Sequence, residues 1–178
     1  MKPFIQITRH LDDVEPHALR LVIIASNGLT TGCLDFYLNA GDLKKAGNAL
    51  TEFSYEKTSD YLLEVGSERK EDNFSHYFRF KAFPTGKGYR SYAIELRLNN
   101  NQNLREYGWS YLHQECNFSI ETDIDNLREL GSLLNDFSKL KQDRLYWTPE
   151  TGYLDTALGQ TSQNYGDAMT EAFKALPK

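Results

Sequence analysis

The sequence predicts an α+β domain: a mainly antiparallel, twisted sheet of about six or seven strands, open or folded toward a sandwich, with two packed helices. Three observations predict it. Seven short runs carry apolar residues at strand spacing and are separated by turn residues. Two longer segments carry apolar residues at helical spacing. The aromatic share is high, 13% with 11 Tyr and 10 Phe, which suits a pleated surface better than a bundle. A chain of 178 residues is long enough for one domain with its own core plus an appended tail.

Phe4 to Thr8 alternates as a first strand. Leu19 to Ala25 is apolar on both faces, so it is expected centrally, covered on two sides. Asn27-Gly28 turns the chain, and Gly32 to Asn39 returns with Leu34, Phe36 and Leu38 on one face and Cys33, Asp35 and Tyr37 on the other. The glycines of this stretch lack the spacing and the strand-to-helix setting of a phosphate cradle.

Asp42 is expected to cap a helix over 42–53, whose stripe is Leu43, Ala46, Gly47, Leu50 and Phe53. Tyr61 to Gly66 is a short strand, and a charged turn follows. Phe74 to Phe83 and Tyr89 to Leu98 form a hairpin across Gly86-Lys87-Gly88, with Arg79, Lys81, Glu95 and Arg97 outward. Glu106 to Ile120 is a last strand region whose apolar parity changes, so a bulge or break is expected near His113-Gln114. Thr122 is expected to cap a helix over 122–141 carrying Ile124, Leu127, Leu130, Leu134, Phe137 and Leu140. The domain is expected to span 1–144, and 145–178 to form a C-terminal extension ending in a short helix from about Tyr165 to Leu176.

Charge narrows the function. A net charge of -5 and a pI near 5.4 argue against nucleic-acid binding, which needs basic clusters for phosphates. Cys33 and Cys116 lie far apart without a C-x-x-C pair and read as free thiols of a reducing compartment. The N-terminal stretch has no apolar core of signal-peptide length, and no run reaches membrane-spanning length. A cytoplasmic chain with no membrane contact is therefore expected.

The densest set of metal-ligand side chains is His10, Asp12, Asp13 and His17, but their spacing matches no zinc or calcium loop, and a solvated turn accounts for them. His76 and His113 could serve acid–base chemistry with Glu115 or Cys116, giving a small-ligand or hydrolytic enzyme. No nucleophile signature or paired-carboxylate arrangement accompanies them, so no catalytic residue and no cofactor is assigned.

Two features point to a protein partner instead. Glu52, Glu56, Asp60, Glu64, Glu68, Glu71 and Asp72 crowd one span opposed only by Lys57, Arg69 and Lys70, and would attract a basic partner. Tyr146, Trp147 and Tyr153 lie in the extension and could anchor a contact. Beyond them Tyr165, Met169, Phe173 and Leu176 share one helical face, which could dock on its own domain or on a second copy, as in a self-association module.

Taken in order, Leu21 to Asn27, Asp35-Phe36-Tyr37, Asp42-Leu43, Glu64-Val65-Gly66, Tyr77-Phe78-Arg79-Phe80, Ala93-Ile94-Glu95-Leu96 and Phe118 to Thr122 resemble small uncharacterised bacterial domains found among immunity proteins of polymorphic toxin systems. The resemblance covers about residues 18–142 and rests on core pattern. It implies an α+β domain without catalytic residues that acts by binding, and the acidic span would make a basic toxin domain the partner. No site residue carries over from it.

Overall fold

Which face each strand buries follows from alternation, and how the strands group follows from what connects them. The computed structural model describes residues 1–10, 18–54, 60–72, 74–86, 90–100 and 115–156. The order is β1 (Phe4–Arg9), β2 (Leu19–Ser26), β3 (Thr31–Leu38), α1 (Ala40–Thr51), β4 (Tyr61–Gly66), a 3-10 turn (Lys70–Asp72), β5 (His76–Pro84), β6 (Ser91–Asn100), β7 (Glu115–Asp123), α2 (Ile124–Phe137), β8 (Arg144–Thr148) and β9 (Thr151–Asp155).

These nine strands make two antiparallel sheets, ordered β3-β2-β1-β8-β9 and β4-β5-β6-β7. The expected sheet of six or seven strands, open or folded toward a sandwich, is corrected to nine strands in two sheets. The α+β class and the two helices stand. The division falls at α1, which carries the chain from β3 into the second sheet.

The five-stranded sheet also moves the expected domain boundary. β8 pairs with β1, Ile7 opposite Leu145 and Ile5 opposite Trp147, and β9 completes the edge. The domain therefore runs through Asp155, and 145–155 is sheet rather than extension. The rest of the expected extension, with its terminal helix, lies outside the described residues. Thr148 closes the β8–β9 hairpin: its hydroxyl accepts from the Glu150 and Thr151 amides at 3.2 and 3.0 Å.

The Asn27-Gly28 turn forms as expected between β2 and β3. The Asn27 side-chain oxygen accepts from the Leu29 and Thr30 amides, and Gly28 takes a φ of 93° that a side chain would strain.

The helix caps differ from expectation. α1 begins at Ala40 after Asn39, and Asp42 sits inside its first turn. There it accepts from Lys45 Nζ at 2.8 Å, and this bond leads in holding its pKa below the usual value. At α2 the cap is Asp123, not Thr122: its carboxylate accepts from the Asn126 amide at 2.8 Å. α2 ends at Phe137, short of 141, because the chain turns and Leu140 adopts a φ of 59°. Replacing Asp123 with alanine is expected to cost about 1 kcal/mol of stability, read from urea unfolding midpoints. An unchanged midpoint would show that the cap bond contributes nothing.

The sheets meet where β3 passes β5, β6 and β7, with Phe36 and Phe78 stacked at 4.6 Å. α2 packs on β8 and β9 and also reaches β6 and β7, while α1 packs on α2 and β4. One apolar core results, containing a cavity of about 30 Å³ walled by side chains such as Ile5, Leu21, Phe36, Leu43, Phe80 and Leu130. A second cluster, Phe4, Val22, Ile24 and Cys33 with Tyr146 against it, occupies the opposite face of the five-stranded sheet. Both cysteines are free thiols, and burial pushes Cys33 up to about 12. Among the described residues, no helix is long and apolar enough to cross a membrane.

Candidate functional site

The four-stranded sheet buries Phe78, Phe80, Ile94, Leu96, Phe118 and Ile120 against the core. Period-two alternation therefore turns Glu64, Tyr77, Arg79, Lys81, Glu95, Arg97 and Glu115 to the other face. On that face charges of opposite sign sit on neighbouring strands. Arg97 lies 2.7 Å from Glu68 and 3.2 Å from Glu115. Arg79 lies 3.5 Å from Glu95, and Lys81 lies 3.0 Å from Asp60 and 5.3 Å from the Phe83 ring centre. Tyr77 donates to Glu64 at 2.5 Å; burial and then this bond push the phenol up to about 12.

Among the described residues of the strands and their paired neighbours, carboxylates outnumber cations here. Asp60, Glu64, Glu68, Glu95, Glu115 and Glu121 share the face and its rim with Arg79, Lys81 and Arg97. The pairs are solvent-accessible, so each contributes on the order of 0–1 kcal/mol to folding. A competing charged group can therefore displace them at small cost. Leu62, 47% exposed, stands on the same face of β4, and Phe74, 51% exposed, precedes β5.

The structure thus sorts the acidic span. Asp60, Glu64 and Glu68 lie on or beside β4 and meet Lys81, Tyr77 and Arg97 respectively. Glu71 and Asp72 are exposed in the 3-10 turn beside it, where Asp72 accepts from Ser67 at 2.6 Å. Glu52 is exposed at the C-terminal end of α1, and Glu56 lies outside the described residues. The cationic half, Arg79, Lys81 and Arg97, was legible only as outward parity in the β5–β6 hairpin. That parity was the signal for adding them to the acidic span.

The aromatic trio divides. Trp147 is wholly buried, and its indole N–H donates to the Asn126 carbonyl at 3.1 Å. It is a core residue and offers nothing to a partner. The reason is strand parity: Leu145 and Trp147 face the core, whereas Tyr146 and Tyr153 face the opposite side, stacked at 5.3 Å.

His10 is buried and its amide donates to the Arg20 carbonyl; Asp12, Asp13 and His17 lie outside the described residues. His76 stands against Phe36 at 6.2 Å with Ser75 Oγ 3.1 Å from its Nδ1, and burial lowers its pKa. His113 and the expected bulge lie outside the described residues. Among the described residues, no three His, Cys, Asp or Glu side chains are grouped to hold a metal. No family model matches this chain, and no curated protein or solved structure matches it either.

Proposed function

We propose that this chain is a non-enzymatic, cytoplasmic protein-binding domain, most concretely an immunity-type inhibitor that occludes a basic toxin domain through the outer face of its four-stranded sheet. The observation that carries this reading is the charged lattice itself, an open sheet face with six carboxylates, three cations and Leu62 exposed among them. Carboxylates on neighbouring strands can take the place of a phosphate-bearing substrate in a basic cleft. Arg79, Lys81 and Arg97 hold them in position until a partner's cations compete for them. Excess negative charge speeds encounter, and the apolar residues at the rim exclude water once docked. The enzymatic alternative has less support, since the His76 ring lies against Phe36.

If a toxin gene lies beside this one, co-expression with its product is expected to protect cells, with a stable complex on gel filtration. The double substitution Glu64→Lys and Glu68→Lys is expected to slow association by about tenfold or more at low salt. It is expected to lower the free energy of unfolding by no more than about 2 kcal/mol, since each substitution breaks one solvent-accessible contact. Failure of the parent chain to bind the toxin overturns the immunity reading. Association of the double variant at the parent rate overturns the assignment of the face.

A further inference from the structure

An ionisable ring stands at the joint between the two sheets. His76 opens β5 on the face that carries Phe78 and Phe80 into the core. Its ring centre lies 6.2 Å from that of Phe36 on β3, and Phe36 in turn stacks on Phe78 at 4.6 Å. Gly66, the last residue of β4, runs against the same residue: a Cβ built there would lie 3.4 Å from the His76 Cδ2 and would strike the His76 carbonyl. The imidazole is thus held among three strands.

Few groups around it answer a charge. Ser75 Oγ lies 3.1 Å from Nδ1. From β3 the Asp35 carboxylate favours a charged ring, but the Arg20 guanidinium of β2 already holds that carboxylate at 2.7 and 3.1 Å. Among the described residues, β4 and β6 present Leu63, Val65, Leu98 and Asn100 to this face, none of them charged. β7 presents the Cys116 thiol, whose pKa burial raises. Glu64, Tyr77, Arg79 and Arg97 stand on the other side of the sheet. Burial therefore outweighs Asp35 and holds the ring's pKa below the ordinary value of 6.5.

We propose that His76 is an acid-operated latch: neutral, it closes the joint between β3, β4 and β5; protonated, its ring leaves Phe36 for water and frees the end of β4 and the start of β5. The unfolded chain takes up the proton near the ordinary value, and the folded chain only at lower pH. The latch therefore contributes in full above about pH 6.5 and is lost as pH falls from there through the folded value. Tyr77, next along β5, donates to Glu64 on the outer face, so opening reaches the surface proposed above for the partner. The latch itself belongs to the free chain and stands or falls apart from that reading.

Imidazole NMR titration and amide exchange of the free, full-length chain test it. The His76 signal, assigned by its loss in His76→Gln, is expected to titrate below the midpoint of the same ring in the urea-unfolded chain. Between about pH 7.5 and about pH 5.5, protection factors at Val65, Gly66, Tyr77 and Phe78 are expected to fall at least about threefold, while those of Leu50 and Leu130 in the helices hold. In His76→Gln, which takes up no proton, the same four amides are expected to ignore the change. If that variant does not fold, His76→Phe, which keeps a ring against Phe36, takes its place. Three results overturn the proposal: a His76 midpoint at or above the unfolded one; protection at the four amides undiminished at the lower pH; or an equal fall in the variant or in the helices, which would assign the change to other groups.

Discussion

Replacing Trp147 with alanine is expected to remove about 3–5 kcal/mol of stability, a large part of what holds a domain of this size folded. The indole is wholly buried on β8, between β1 and β9, and its N–H donates to the Asn126 carbonyl in the first turn of α2. Alanine leaves a cavity at the joint between sheet and helix and strands a carbonyl lone pair. The midpoint of thermal unfolding should fall by roughly 10 °C or more. Trp147→Phe should cost less, since most of the packing survives. Tyr153→Ala should cost about 1 kcal/mol or less, because that ring is 39% exposed on an edge strand. Equal losses for Trp147→Ala and Tyr153→Ala would contradict the assignment of Trp147 to the core.

The second large effect is expected at the crossing of the helices. A Cβ on Gly131 would lie 2.8 Å from both the Gly47 oxygen and the Thr51 nitrogen; one on Gly47 would lie 2.7 Å from the Gly131 oxygen. These are backbone atoms of α1 and α2, so relief requires the helices to separate. Gly131→Leu is expected to destabilise by about 3 kcal/mol or more, because overpacking outweighs the ~1 kcal/mol or less that leucine gains over glycine in a helix interior. Gly41→Ala is the opposite case. It stands in the first turn of α1 with nothing within 4 Å of the added methyl, and is expected to stabilise by up to about 1 kcal/mol. Urea unfolding of both variants checks the sign reversal.

Local patterns in the sequence were enough for β2, the Asn27-Gly28 turn, the β5–β6 hairpin and both helical stripes, because each is decided by neighbours a few residues apart. The grouping into two sheets was not legible. It depends on β1 pairing with β8 across 136 or more residues, and β8 and β9 are too short to show a period of their own. Trp147 was misplaced for the same reason: without the pairing partner, its parity has no inside or outside. At the site, composition located the acidic span but not its cations. Glu68 meets Arg97, and Asp60 meets Lys81, only once the strands are in register. Gly47 read as one more small residue of a stripe, since the backbone it touches belongs to another helix.

The central claim is that the outer face of the four-stranded sheet is the contact surface. Amide hydrogen exchange of the chain, free and in complex with the basic protein domain proposed as its partner, tests this most directly. Slowed exchange is expected in β4 to β6 and the turn at Lys70–Asp72, with α1 unchanged. Protection confined to α1 and α2, or to the outer face of the five-stranded sheet, would contradict it.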